Sequence, residues 1–249
     1  MAFDKATFTG GTLKITGGSS GKLVYDSEFE FSTDTSIAES QAVSLAGKNK
    51  FGTNVTEIDA SGLGAAVAVD ITGATGEVTK ITTGKGNDVI QLGSDSNKVT
   101  EVDVGAGANK ITVNEGANKA AKITAGVGND TLIFGESAES TVEANLGDGK
   151  NVVDIKQEAK VSGILLGKGT DSIKVAGEAT VTAGKGNDTY SVQPYANLTI
   201  KDYSPSGANG TDKIIMASGV EAHLGTNGTS VEITSAPSAY ETLEDTNSL

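Results

Sequence analysis

The chain has 249 residues, 33 of them glycine, with no cysteine, no tryptophan, one histidine and a formal net charge of −13. All 19 basic residues are lysines, set against 32 acids. This composition excludes disulfide frameworks, thiolate sites and multi-histidine zinc centres, and nucleic-acid binding, which needs a basic footprint. With aromatics at only 4%, something more repetitive than an ordinary globular core must stabilise the fold.

In chain order, the start Met-Ala-Phe-Asp-Lys-Ala-Thr-Phe lacks the charged and apolar regions of a signal peptide. Residues 1–60 read as an N-terminal β-rich cap or assembly segment. Strands are expected over 11–18 and 23–31, bounded by Gly/Ser turns, with Phe29 and Phe31 alternating with Glu28 and Glu30. A short helix is expected over 36–45. Five of the six phenylalanines (Phe3, Phe8, Phe29, Phe31 and Phe51) lie in this segment. They either plug one end of the fold or form a surface that joins subunits. The small-apolar run from Gly62 to Val69 is far shorter than the ~20 residues that span a bilayer, so no membrane insertion is expected.

Residues 61–215 carry a repeat. Gly-x-Gly pairs begin at Gly84, Gly105, Gly126, Gly147, Gly167 and Gly184, at spacings of 21, 21, 21, 20 and 17. The pattern is Gly-x-Gly-x-(Asp/Asn)-x-apolar, with a weaker unit at Gly210–Ile214 and a degenerate one at Gly62–Gly64. Two strands of about five residues and two turns fill ~20 residues, one coil of a parallel β-solenoid. The expected fold is therefore an all-β solenoid of about 20 residues per coil, capped at both ends.

Stacked coils, ~4.8 Å apart, make three interior ladders. Ile90, Ile111, Leu132, Val153, Ile173 and Tyr190 form the first. Leu92, Val113, Phe134, Ile155, Val175 and Val192 form the second, and Ile81, Val102, Ile123, Ala144, Ile164 and Val181 the third. On the outward side, Lys80, Glu101, Lys122 and Glu143 alternate in sign, which rewards in-register stacking.

The repeat resembles the repeats-in-toxin (RTX) β-roll family over about residues 80–215. The best matches are 84–90, 126–132, 167–173 and 184–190, with 200–214 similar to a closing unit. The resemblance implies a right-handed coil and calcium held between aspartates of successive turns. The aspartate offset here reads Asp88, Asn109, Asp130, Asn151, Asp171, Asp188, Asp212, with Lys85, Lys168 and Lys185 between the glycines of three units. Two readings stand. One is an Asp/Asn ladder whose side chains hydrogen-bond loop amides. The other is calcium between Asp171 and Asp188 or Asp188 and Asp212, the consecutive carboxylate rungs, with Asp88 and Asp130 the weaker candidates.

Residues 216–249 read as a cap strand at Val231–Thr234 and an acidic tail, which serves as a disordered end or an uncleaved export signal. No nucleophile elbow, phosphate loop or zinc motif is present, and His223 reads as an incidental surface residue in a loop, so no enzyme is expected. An ice-binding face would need a regular threonine array; Thr82, Thr124 and Thr182 share an outward offset, but Asp103, Asn145 and Leu165 interrupt it. The expectation is an extracellular or cell-surface structural protein, exported by a C-terminal type I-like signal. It would self-assemble as a surface-layer, matrix or filament subunit. The alternative is a calcium-binding RTX-type secreted module or adhesin segment.

Overall fold

Alternation at every second residue dictates the architecture. Val89–Leu92, Lys110–Val113, Thr131–Phe134 and Val152–Ile155 each bury their second and fourth residues. One strand cannot cover such a face, so the chain returns and stacks another copy beside it. The computed structural model is a mostly parallel, all-β solenoid. It describes residues 5–9, 12–16, 22–25, 30–32, 41–45, 56–64, 66–71, 78–93, 99–114, 122–218, 220–227 and 230–237, those before 46 and residues 70, 139–142, 221–227 and 236–237 by their backbone alone.

Two long sheets form the walls of the solenoid, and Lys168–Gly169 pairs parallel with Lys185–Gly186 at the corner between them. The first runs, in spatial order, Lys5–Thr9, Thr12–Thr16, Glu57–Asp59, Lys80–Thr82, Glu101–Asp103, Lys122–Thr124, Glu139–Gly147, Lys160–Leu166, Glu178–Thr182, Asn197–Ile200, Ser230–Pro237 and Val220–Asn227. The second runs Glu30–Ser32, Lys22–Tyr25, Gln41–Leu45, Val67–Asp70, Val89–Leu92, Lys110–Val113, Thr131–Phe134, Val152–Ile155, Ser172–Val175, Thr189–Val192 and Lys213–Met216.

All three apolar ladders form in the expected register. Ile90 pairs with Ile111, and the column continues through Leu132, Val153, Ile173 and Tyr190 to Ile214. Ile81, Val102, Ile123, Ala144, Ile164 and Val181 stack in the facing sheet, extended by Ile58 below and Ile200 above. Nearly all of these side chains are buried, so the core is one narrow aliphatic column. Its width explains the scarcity of aromatics: Phe134 and Tyr190 are its largest fully buried side chains.

Both sheets continue across residue 60. Thr12–Thr16 lies parallel to Glu57–Asp59, and Gln41–Leu45 lies parallel to Val67–Asp70. The expected helix over 36–45 is therefore corrected at 41–45, which is a strand; 36–40 lie outside the described residues. Gln, Ala and Leu favour a helix, but so short a segment cannot hold one on propensity alone, and Lys22–Tyr25 and Val67–Asp70 supply strand partners on its two sides. The five N-terminal phenylalanine side chains also lie outside the described residues.

At the other end, Ser230–Pro237 reverses direction and pairs antiparallel with Asn197–Ile200, then with Val220–Asn227. This hairpin covers the edge of Asn197–Ile200, the last parallel strand of the first sheet, as a solenoid end requires. The expected cap strand at Val231–Thr234 is thus present and longer. His223 falls in strand Val220–Asn227 rather than a loop.

Candidate functional site: the buried aspartate–asparagine ladder

The Gly-x-Gly corner turns the chain from the first sheet into the second. At Gly107, φ is +131° and an added Cβ would strike the carbonyl oxygen of Gly86 in the preceding coil. Glycine is required there for both conformation and proximity. Two residues beyond each second glycine, the Asp/Asn side chain turns inward and is buried: Asp88, Asn109, Asp130, Asn151, Asp171, Asp188 and Asp212.

These seven side chains make one continuous ladder. Asp88 Oδ1 accepts from the amide of Val67 at 2.8 Å, and Asn109 Oδ1 accepts from the amide of Asp88 at 2.9 Å. The same bond repeats from Asn109 N to Asp130, Asp130 N to Asn151, Asn151 N to Asp171, Asp171 N to Asp188 and Asp188 N to Asp212. Each corner amide, which the parallel sheets leave without a partner, is satisfied by the carboxyl or carboxamide one coil further on. The expected hydrogen-bonded Asp/Asn ladder is what the fold contains.

The other half of each side chain separates asparagine from aspartate. Asn109 Nδ2 donates to the Gly107 carbonyl at 3.2 Å, and Asn151 Nδ2 to the Gly147 carbonyl at 3.1 Å. Asp88, Asp130 and Asp171 hold their Oδ2 atoms buried without a hydrogen-bond partner. Thr83 approaches the Asp88 carboxyl without reaching hydrogen-bond geometry. The side chains of Thr83, Asn109 and Asn151 lie beside the Asp88, Asp130 and Asp171 carboxyls and offset part of the cost of ionising them. A protonated carboxyl would supply the donor that asparagine supplies.

Burial accordingly pushes the Asp88 and Asp130 carboxyls above the usual range, opposed in part by the amides that point at them. Asp171 is raised to about 6 by burial first, with Asp148 adding repulsion. Asp188 is raised to about 6 by burial, with Asp171, Asp212 and Asp202 adding repulsion. Between Asp88 and Asp171 an asparagine separates each pair of carboxyls. From Asp171 to Asp212 three are consecutive, and the repulsion is concentrated there. The buried Tyr190 hydroxyl has no partner, and burial and the same aspartates raise it too.

The closing unit is tied to this end. Asp202 accepts from the amides of Ala183 and Gly184 at 3.1 and 2.7 Å. Asp212 Oδ2 accepts from Ser204 N at 2.8 Å, so both oxygens of Asp212 are occupied. Lys85, Lys168 and Lys185 are exposed on the outer side of the turn, whereas the aspartates are interior. Lys168 reaches Asp148 at 3.9 Å, an exposed pair. Among the described residues no group of three or more His, Cys, Asp or Glu is placed to hold a metal.

A second set of residues escaped the sequence reading. Asn87 accepts from Ala108 N at 2.8 Å, Asn129 from Lys150 N at 2.9 Å and Asn187 from Thr211 N at 2.8 Å. Each is the asparagine of Gly-x-Gly-Asn-Asp, a motif present at 84–88, 126–130 and 184–188. It recurs at 84 and 126, two coils apart. Lys-Ile-Thr at 80–82 and 122–124 keeps the same period, and each is followed one coil later by Glu-Val-Asp at 101–103 and Glu-Ala-Asn at 143–145. Over this stretch the repeating unit is two coils.

The fold and ladder define the class of protein: a parallel β-solenoid whose turns are held by stacked Asp and Asn side chains. No family model matches the chain, and neither the curated proteins nor the solved structures contain a match. Among the described residues no helix is long and apolar enough to cross a membrane.

Proposed function

We propose that the chain is a structural protein built on an RTX-like solenoid, a self-assembling subunit of an extracellular surface layer, matrix or filament. The observation that carries this reading is the uninterrupted ladder from Val67 to Asp212. It spends the polar side chains of the turns on rigidity within the chain rather than on presenting groups to a substrate. Rigid repetition of this kind suits a spacer or lattice element, and the acidic surface suits spacing between assembled copies. Export through the acidic C-terminal tail and a non-catalytic role belong to the same reading. Electron microscopy of the purified chain at rising concentration tests it: polymers or sheets are expected, and persistent monomers overturn it.

The three consecutive carboxyls Asp171, Asp188 and Asp212 favour one second reading, a calcium-responsive secreted module or adhesin segment. Circular dichroism with chelator and then calcium separates the two. A β signal that appears only with calcium supports the second reading, and an unchanged signal rejects calcium-driven folding.

A further inference from the structure

The outer face of the first sheet carries two rows of side chains in strict register. One row is Lys80, Glu101, Lys122, Glu143, and the coil after it presents Gly163 at that position. The other is Thr82, Asp103, Thr124, Asn145, Leu165. Lys80 and Glu101 form an ion pair at 3.4 Å. Lys122 and Glu143 are exposed and make no ion pair among the described residues. Beside them Gly163 leaves a groove of about 480 Å³ lined by Lys122, Glu143, Asn145, Leu165 and Thr182. Leu165 is 46% exposed there.

A row whose charge alternates coil by coil is complementary to itself when shifted by an odd number of coils. A two-fold axis in the contact plane, parallel to the strands, supplies that shift. It lays each row over its own copy and reverses the order of the coils. Placed between the coils of Glu101 and Lys122, it sets Lys80 against Glu143 and Glu101 against Lys122, each twice by symmetry. In the second row Thr82 meets Asn145 and Thr124 meets Asp103, hydroxyl donors against acceptors. Glu57, which precedes Lys80 in the first row, falls opposite Gly163, where the missing side chain leaves room. Parallel, unshifted stacking would instead level like charges.

We propose that this face joins two copies of the chain back to back with antiparallel solenoid axes, Lys80 against Glu143 and Glu101 against Lys122. The proposal rests on the self-assembly reading and names its lateral contact. Exposed ion pairs are individually weak and screened by salt, so the pattern sets the register and the contact weakens as salt rises.

Zero-length carbodiimide coupling of the full chain, read by peptide mass spectrometry, tests the register. Lys80 and Glu143 are three coils apart within one chain, ~14 Å, so a linkage between them must join two molecules. That linkage is expected at low salt and is lost at high salt. Sedimentation velocity of E101K/E143K should lose the lateral species, and K80E/E101K/K122E/E143K, which restores alternation, should regain it. Circular dichroism checks that both variants keep the β signal. If both are misfolded, the linkage in the unaltered chain decides alone. Association with no Lys80–Glu143 linkage, or unchanged in a folded E101K/E143K, overturns this contact and leaves self-assembly standing. A monomer at every concentration overturns both.

Discussion

The backbone amide of Asn151 donates to Oδ1 of Asp171 at 2.7 Å, the shortest rung of the ladder, while Oδ2 of the same Asp171 is buried without a partner. One carboxyl thus has one oxygen fully used and one that only a proton or another donor can satisfy. Most of the behaviour expected of this protein follows from that asymmetry.

Stability should fall as the ladder ionises. Asp171 and Asp188 are raised to about 6 in the folded chain, above the ~3.9 of an unfolded aspartate. The folded state then binds more protons, so these groups stabilise it fully below about pH 4. Their contribution is lost as pH rises through about 6. Urea unfolding between pH 4 and 7.5 should show a midpoint that declines through this window. A midpoint that rises across it would show that Asp171 and Asp188 are not raised.

Asp171→Asn should stabilise the chain at neutral pH. The carboxamide keeps Oδ1 for Asn151 and supplies a donor for the loop, as Asn151 does toward Gly147. Removing an unsatisfied buried acceptor is worth ~1–3 kcal/mol. Chemical denaturation of both forms at pH 7.5 and pH 4 checks this: the gain should be present at the first and absent at the second.

Asn151→Ala should cost more than Asn129→Ala. The first leaves the buried Asp130 amide and the Gly147 carbonyl unpaired, at ~1–3 kcal/mol each. The second removes one exposed bond to Lys150 N, worth about 1 kcal/mol. Thermal melts of the two variants give the comparison directly.

Gly107→Ala should destabilise by about 2 kcal/mol or more, because φ at +131° is strained for alanine and its Cβ meets the Gly86 carbonyl. Hydrogen exchange should show opening centred on the coils on either side of that corner.

Millimolar calcium should shift the melting temperature little. Every ladder carboxyl already accepts a backbone amide on Oδ1, and Asp212 uses both oxygens. A shift of many degrees would mean that the ladder rearranges to bind the ion.

The coil length, the three apolar ladders and the Lys/Glu alternation were legible because each is a local pattern repeated at a nearly constant spacing. Stacking then places equal offsets side by side. The strand at Gln41–Leu45 was not legible. It is too short and weakly patterned to declare itself, and the edge of Val67–Asp70 decides it. The role of Asn87, Asn129 and Asn187 was hidden for a related reason: their partners are amides one coil away, with no side-chain signature.

The sequence by itself determined a solenoid with a column of Asp and Asn at one corner, because periodicity survives without coordinates. Only the tertiary structure decided what that column does. Whether a carboxyl points inward, which of its oxygens takes an amide and which is left without a donor depend on the direction of the side chain relative to the next coil. Those directions are set by the stacking of backbones ~4.8 Å apart, and no count of residues along the chain contains them.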